Sequence, residues 1–403
     1  MKCNGKIKTL AVTALLTLAF LAFMLCDTSY VMIRQSGFLR LALNFLAVGT
    51  LLIIKRPKIT LRTVIFLLGT ITVPVIWSVF NGDVKQVVIV IAAAVVGWAV
   101  SLSFRIDEFE ELFSKIMTFL SVYSLITFAL YLFVPSFVKC FPLIENWTDI
   151  VYFSHNMFFS VITHCENNVR NYGIFWEPGA FAVFLSIALW IELYRKEKIN
   201  VKRVAVYLLA VATTLSSLGL ITAGALVFGL LFDKRVSKKV KIGIVIATLI
   251  LAAILPLSEL GRGILKAFFK KFFVMDESSS GRLASITNVG KIFISSPIFG
   301  VGLTNFKNAI TGMGMKAAAF TFFNLLALNG VIGAFLPITG IFLYFSKKDV
   351  KIIVKVILVL FALGLFFSEA FEQIPIFYAL AFYGLQKFPL EKLVKKKEAK
   401  NGI

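Results

Sequence analysis

The stretch Arg170-Asn171-Tyr172-Gly173-Ile174-Phe175-Trp176-Glu177-Pro178-Gly179 sets a guanidinium and a carboxylate on one short segment, where a polar stretch enters a long apolar run. A guanidinium grips phosphate oxygens through two parallel charge-assisted bonds, and a carboxylate takes the proton of a hydroxyl that attacks. Together they suit group transfer from a phosphate leaving group. The simpler alternative is that Arg170 and Glu177 pair with each other and tie down the loop. The residue before a proline is biased away from helix, and proline suits the first helical position, so a helix is predicted to start at Pro178. Glu177 then stands beside a helix N-terminus, whose unpaired N–H groups attract anions.

Other residues could join this chemistry. Ser278-Ser279-Ser280-Gly281-Arg282 precedes the apolar stripe Leu283, Ile286, Val289 and Phe293, a helix predicted to end at Ser295-Ser296-Pro297. A cation in its first turn opposes the helix dipole, so Arg282 points to an anionic partner. Arg262, Lys266 and Lys270 fall on one stripe of an interfacial helix, which either anchors the chain in lipid or adds cations to a substrate site. His155 and His164 precede the motif; His164 is either a base or an ordinary loop residue. No metal-ligand spacing, hydrolase elbow, phosphate-binding loop or dinucleotide fingerprint is present, so neither a metal nor a cofactor is expected. Cys140 and Cys165 are placed either to pair or to stay free.

The elements that position these groups are apolar. Of 403 residues 59% are hydrophobic and 16% charged, which excludes a string of soluble domains and points to an all-α, polytopic integral membrane protein. Spans are predicted near 9–26, 38–54, 62–80, 86–104, 112–135, 174–194, 202–216, 217–232, 240–257, 319–345, 350–367 and 371–387, about twelve, in a single membrane domain. The net charge of +21 suggests nucleic acid, but Lys and Arg concentrate in alternate short connectors and in the tail 388–403. That is the positive-inside pattern, with both termini cytoplasmic and no nucleic-acid partner. The run from Val201 to Phe232 is read as two short helices meeting at a hydroxyl-rich turn, because both of its flanks are basic. The acidic cluster Asp107-Glu108-Phe109-Glu110-Glu111 is read as a solvated inner loop. Two extracytoplasmic loops, 136–173 and 258–318, are too long to be connectors and too rich in aromatic and apolar residues to be disordered.

Residues 170–179 resemble the Arg-x-x-Gly-x-Phe-x-Glu-Pro-Gly motif of the Wzy-like O-antigen and capsule polysaccharide polymerases. Ser280-Gly281-Arg282, Ser296-Pro297-Ile298-Phe299-Gly300-Val301-Gly302-Leu303-Thr304-Asn305-Phe306 and Asn329-Gly330-Val331-Ile332-Gly333 are similar to signatures of the wider polymerase and O-antigen ligase superfamily. The resemblance implies metal-independent inverting transfer of a glycan carried on undecaprenyl pyrophosphate, at the periplasmic face of a bacterial inner membrane. By that match Arg170 and Arg282 would bind the pyrophosphate. The residues themselves add Arg262 and Asn305 as candidate substrate contacts, Trp147, Tyr152, Tyr172 and Trp176 as rings that either stack on sugars or simply belong to the interface belt, and Glu177 or His164 as candidate base. A chain-length regulator and a flippase would be partners beside the membrane lipids. The histidine that superfamily ligases carry near the end of the second loop has no counterpart after His164, which favours a polymerase over a ligase. A transporter or flippase would show similar halves and mid-span charges; here such charges are few.

Overall fold

A computed structural model describes residues 2–33, 35–81, 84–141, 143–144, 153–157, 160–165, 168–254, 257, 262, 277–315, 318, 320–367 and 369–388. Among them the helices are α1 (Lys2–Leu25), α2 (Tyr30–Ile33), α3 (Gly37–Lys55), α4 (Leu61–Asn81), α5 (Val84–Ser103), α6 (Ile106–Phe133) and α7 (Pro135–Lys139). They continue with α8 (Pro178–Trp190), α9 (Val201–Thr214), α10 (Ser217–Leu230), α11 (Lys238–Ile254), α12 (Glu277–Ser295), α13 (Leu303–Gly312), α14 (Thr321–Phe345), α15 (Ile352–Leu365) and α16 (Pro375–Leu385). Among the described residues four helical segments are long and apolar enough to cross a membrane: Gly37–Lys55, Ile106–Phe133, Pro178–Arg195 and Thr321–Phe345. Six shorter apolar helices accompany them.

The bundle is built around α8. Pro178 takes its first position after an extended Glu177, and beyond Trp190 the helix widens into a π-turn over Ile191–Arg195. This unit is 89% buried, against 22% for Gly37–Lys55, so it is enclosed by protein while α3 presents most of its surface outward. A helix that is apolar on every face needs such a coat. Helices α9 and α10 pack on α8, α6 packs on α9, α15 on α10, and α14 joins α16 and α4.

The run from Val201 to Phe232 folds as two helices. Leu215 takes a left-handed conformation (φ 50°) that ends α9, and Ser216 caps α10 by accepting from Gly219 N at 3.3 Å. Among the described residues the fold is all-α as expected, with one small sheet in the first long loop: β1 (Leu143–Ile144), β2 (Phe153–Met157), β3 (Ser160–Cys165) and β4 (Asn168–Gly173) form an antiparallel meander in that order. The acidic cluster is no solvated loop. Asp107 and Glu108 occupy the first turn of α6, where carboxylates favour the helix dipole, and Glu110 is buried.

The segments that resemble superfamily signatures meet as backbone. Gly330 (φ 60°) breaks α14, and the carbonyls freed there receive Val301 N (on Ala327 O, 2.9 Å) and Gly302 N (on Leu328 O, 3.0 Å). Val331 N and Ile332 N return to Pro297 O (2.9 Å) and Ile298 O (3.2 Å). The two chains approach so closely that a Cβ at Gly300 or Gly330 would overlap opposing backbone, so glycine is required at both places.

Candidate functional site at the start of the central helix

Strand β4 lies at one end of the sheet and runs into α8, so the position of Arg170, Asn171 and Glu177 follows from that junction. Asn171 is fully buried and fastens it three ways. Its Nδ2 donates to Ser124 Oγ (3.2 Å) and Thr213 Oγ1 (3.0 Å), while its Oδ1 accepts Gly173 N at 2.8 Å. Gly173 (φ 56°) turns the chain against the Phe181 ring, 3.0 Å from where a Cβ would stand. Tyr30 N donates to Ile174 O at 2.8 Å, and Phe175 stacks on Phe181 with centroids 5.2 Å apart.

On this rigid turn Arg170 donates from Nε to Thr214 O at 3.1 Å. Thr214 ends α9, where carbonyls lack intrahelical donors and the dipole is negative, so the contact satisfies the helix and orients the guanidinium. Among the described residues nothing accepts from its two Nη groups. The half-buried Glu177 makes no cap bond to α8, and among the described residues its carboxylate meets no donor and no cation. The Arg170–Glu177 pair weighed from sequence is not among the ion pairs. Two opposite charges on one loop are therefore held apart, each with hydrogen-bonding capacity unused among the described residues.

The structure adds two carboxylates that the sequence reading passed over. The final predicted span, 371–387, begins as helix only at Pro375, which leaves Glu369 and Glu372 in the connection between α15 and α16, both 5% exposed. A Cβ at Gly179 would overlap Glu369 Oε1 and would lie 3.8 Å from Glu177 Oε1, so the two carboxylates flank the first turn of α8. Asn324 Nδ2 donates to Glu372 Oε1 at 2.9 Å, while Glu372 Oε2 and Asn324 Oδ1 are buried without a partner among the described residues. Their signal in the sequence was position: no other Asp or Glu occurs between Asp349 and Glu391.

The other predicted residues divide. Tyr172 is 7% exposed and packs on Tyr30, so its ring serves the fold; Trp176 is half-buried against Phe371, with centroids 5.7 Å apart. Asn305 is exposed on α13 and donates to Val301 O at 3.0 Å; Arg262 is exposed and donates to Leu257 O at 3.4 Å. Helix α12 starts at Glu277, so Ser278, Ser279 and Ser280, predicted to cap it, lie inside its first turn and Arg282 falls in its second turn rather than its first; the Arg282 side chain is outside the described residues. The same holds for His155 and His164, which sit on β2 and β3 opposite Leu143 and Phe153. Lys266 and Lys270 of the interfacial stripe, with Trp147 and Tyr152, are also outside. Cys140 is a free, exposed thiol. Among the described residues no group of three or more His, Cys, Asp or Glu is placed to hold a metal ion.

At the far end of α8 the acids are paired. Glu110 accepts from Arg195 Nε (2.8 Å) and Tyr344 OH (3.2 Å); Glu111 meets Lys196 (2.6 Å) and Arg203 (3.3 Å); Glu192 meets the same two at 2.7 and 3.0 Å. Asp233 binds Arg235 Nη2 at 2.7 Å, and that guanidinium also reaches Leu193 O (2.8 Å) and Lys196 O (3.0 Å), the carbonyl end of the central helix. Lys347 Nζ adds a bond to Tyr194 O at 2.7 Å. Burial, then repulsion from Arg235, lowers the Lys347 ammonium from its usual range. No model of a known protein family matches this chain, and no curated protein sequence matches it.

Proposed function

We propose that this chain is a polymerase of lipid-linked oligosaccharide repeat units, multi-pass in a bacterial inner membrane with about twelve spans and both termini cytoplasmic. It acts on a glycan carried by undecaprenyl pyrophosphate at the outer face. One observation carries the reading: Arg170 is pinned through Nε while, among the described residues, neither its two Nη groups nor the carboxylate of Glu177 on the same rigid turn has a partner. A fork held by its stem suits two oxygens of a diphosphate, and a carboxylate without donors suits an incoming hydroxyl. In the proposed step the acceptor hydroxyl attacks the anomeric carbon and gives its proton to Glu177. The carbon–oxygen bond to the diphosphate breaks with its electron pair leaving on phosphate, where Arg170 and Arg282 stabilise the charge. The resemblance of 170–179 to the polymerase motif supports the same assignment.

The break in α14 is the feature that would favour a transporter, since discontinuous helices there expose carbonyls to ions. Here the freed carbonyls of Ala327 and Leu328 are taken by Val301 and Gly302. A strain lacking the gene, complemented with wild type or Arg170→Ala, tests the reading through the length of its surface glycan. Long chains should return with the wild type and collapse to single repeats with Arg170→Ala at equal protein level, a loss of about 10²–10³-fold in rate for one diphosphate donor. Full-length glycan in the deletion strain would refute the polymerase reading.

A further inference from the structure

Glu372 and Asn324 take no part in the chemistry proposed above, and both are buried. One hydrogen bond joins them, from Asn324 Nδ2 to Glu372 Oε1 at 2.9 Å, and the same Nδ2 gives its other hydrogen to Ala318 O at 2.8 Å. An amide nitrogen carries two hydrogens, so two acceptors facing it fix the side chain's orientation and leave its oxygen as the free atom. Asn324 Oδ1 and Glu372 Oε2 are thus two acceptors on either side of one bond, each without a partner among the described residues. No arginine, lysine or histidine pairs with Glu372 among the described residues either.

A buried carboxyl with no counter-charge avoids the cost of its charge by keeping a proton. A single proton satisfies both free oxygens. On Oε2 it removes the charge and makes that oxygen a donor, and an unsatisfied acceptor stands on the amide that already holds Oε1. We propose that Glu372 is a neutral carboxylic acid closed onto Asn324 by two opposed hydrogen bonds, and that this pair is a pH-sensitive latch between the α15–α16 connection and the start of α14. Glu372 lies outside the apolar helix Pro375–Leu385, and burial, which outweighs its own N–H and the Asn324 amide, pushes its carboxyl up to about 7. Around it α14 brings Thr321 and Asn324, neither of which titrates; α16 brings Tyr378, whose hydroxyl donates to Glu372 O at 2.8 Å; the connection itself brings Glu369. Thr321 Oγ1 donates to Glu369 O at 2.6 Å and accepts Phe371 N at 2.9 Å, and the Phe371 ring meets Trp176 and Phe184 with centroids at 5.7 and 6.1 Å. The latched connection is therefore a wall against the first turns of α8, and loss of the proton loosens it. None of these contacts depends on the polymerase reading.

Glu372→Gln decides the matter, because a glutamine amide reproduces the closed pair with no proton to lose: its oxygen accepts from Asn324 Nδ2 and its nitrogen donates to Asn324 Oδ1. Purified full-length wild type and Glu372→Gln are melted in detergent from pH 5 to 8. The folded carboxyl holds its proton up to about 7 and the unfolded one only up to about 4.3, so the contribution of the latch is fully present below about 4.3 and is lost as pH rises through the folded value. Across that interval the wild-type unfolding constant should rise relative to that of the variant by up to about tenfold per pH unit, and the gap should stay level above it. Wild type should also show the infrared band of a protonated carboxyl at pH 6, missing at pH 9 and in Glu372→Gln. A glutamine variant that fails to accumulate or melts below wild type at every pH would overturn the proposal, as would a difference spectrum without that band. Melting of wild type that rises with sodium ion, while that of Glu372→Gln does not, would overturn it in favour of a bound cation. Neither readout measures polymerisation, so the two ideas can fall separately.

Discussion

The two ends of the central helix treat charge in opposite ways. At its carbonyl end Glu110, Glu111, Glu192 and Asp233 are each held by arginine, lysine or both, and Arg235 and Lys347 bond the last carbonyls of the helix. At its amide end, among the described residues, the two Nη groups of Arg170 meet no acceptor and Glu177 has no partner. Burying charge without pairing it costs free energy, so a chain selected only for stability would have let Arg170 and Glu177 meet. The contrast separates an end whose acids are held by cations from an end where, among the described residues, a guanidinium fork and a carboxylate stay apart, and the proposed function gives that second end its ligand.

Substitutions at the two ends should separate stability from activity. The largest effect is expected at the paired end. Arg195→Ala strands the buried Glu110 and should cost about 3–5 kcal/mol, seen as a lower melting temperature of the purified chain. An unchanged melting temperature would remove the structural half of the comparison. Glu177→Gln should give the reverse signature: melting shifted by less than about 0.5 kcal/mol, since no partner is lost, with polymerisation reduced about 10²-fold. If melting and glycan length both hold, Glu177 is not the base.

A smaller effect is expected at Asp233. Burial works against its charge, but hydrogen bonds from Arg235 outweigh that and hold the carboxyl below its usual value. The ionised form is therefore favoured more in the folded state than in the unfolded one. Its stabilisation is fully present above an unfolded value of about 3.9 and is lost as pH falls through the folded value. Asp233→Asn should thus cost about 1–3 kcal/mol at neutral pH, with the gap to wild type closing in melts below pH ~4. A gap that persists in acid would assign the loss to packing instead.

Much of this arrangement was legible in the sequence, for reasons that differ between regions. Pro178 fixed the start of α8 because a ring that sets φ and lacks an N–H leaves few alternatives, and Thr213 to Ser217 showed the turn through their hydroxyls. The sheet was missed because its strands are two to six residues long and carry histidine, asparagine and serine where a membrane-protein reading looks for apolar length. Its one local sign was the β-branched run Val161-Ile162-Thr163 on β3. Glu110 and Glu111 read as solvated groups in the sequence because their partners Arg195, Lys196 and Arg203 lie 85 or more residues away, a separation no local pattern reveals. Glu369 escaped for the same reason, since its place beside Gly179 is set by the fold.

The central proposal is that the Nη groups of Arg170, without an acceptor among the described residues, grip a diphosphate. Equilibrium binding of an oligosaccharide on undecaprenyl pyrophosphate to the purified chain tests it most directly. Arg170→Ala should bind about 10- to 100-fold more weakly than wild type, the effect of losing charge-assisted bonds worth roughly 1.5–3 kcal/mol, with its melting temperature little changed. Equal affinity in a folded Arg170→Ala protein would contradict the account.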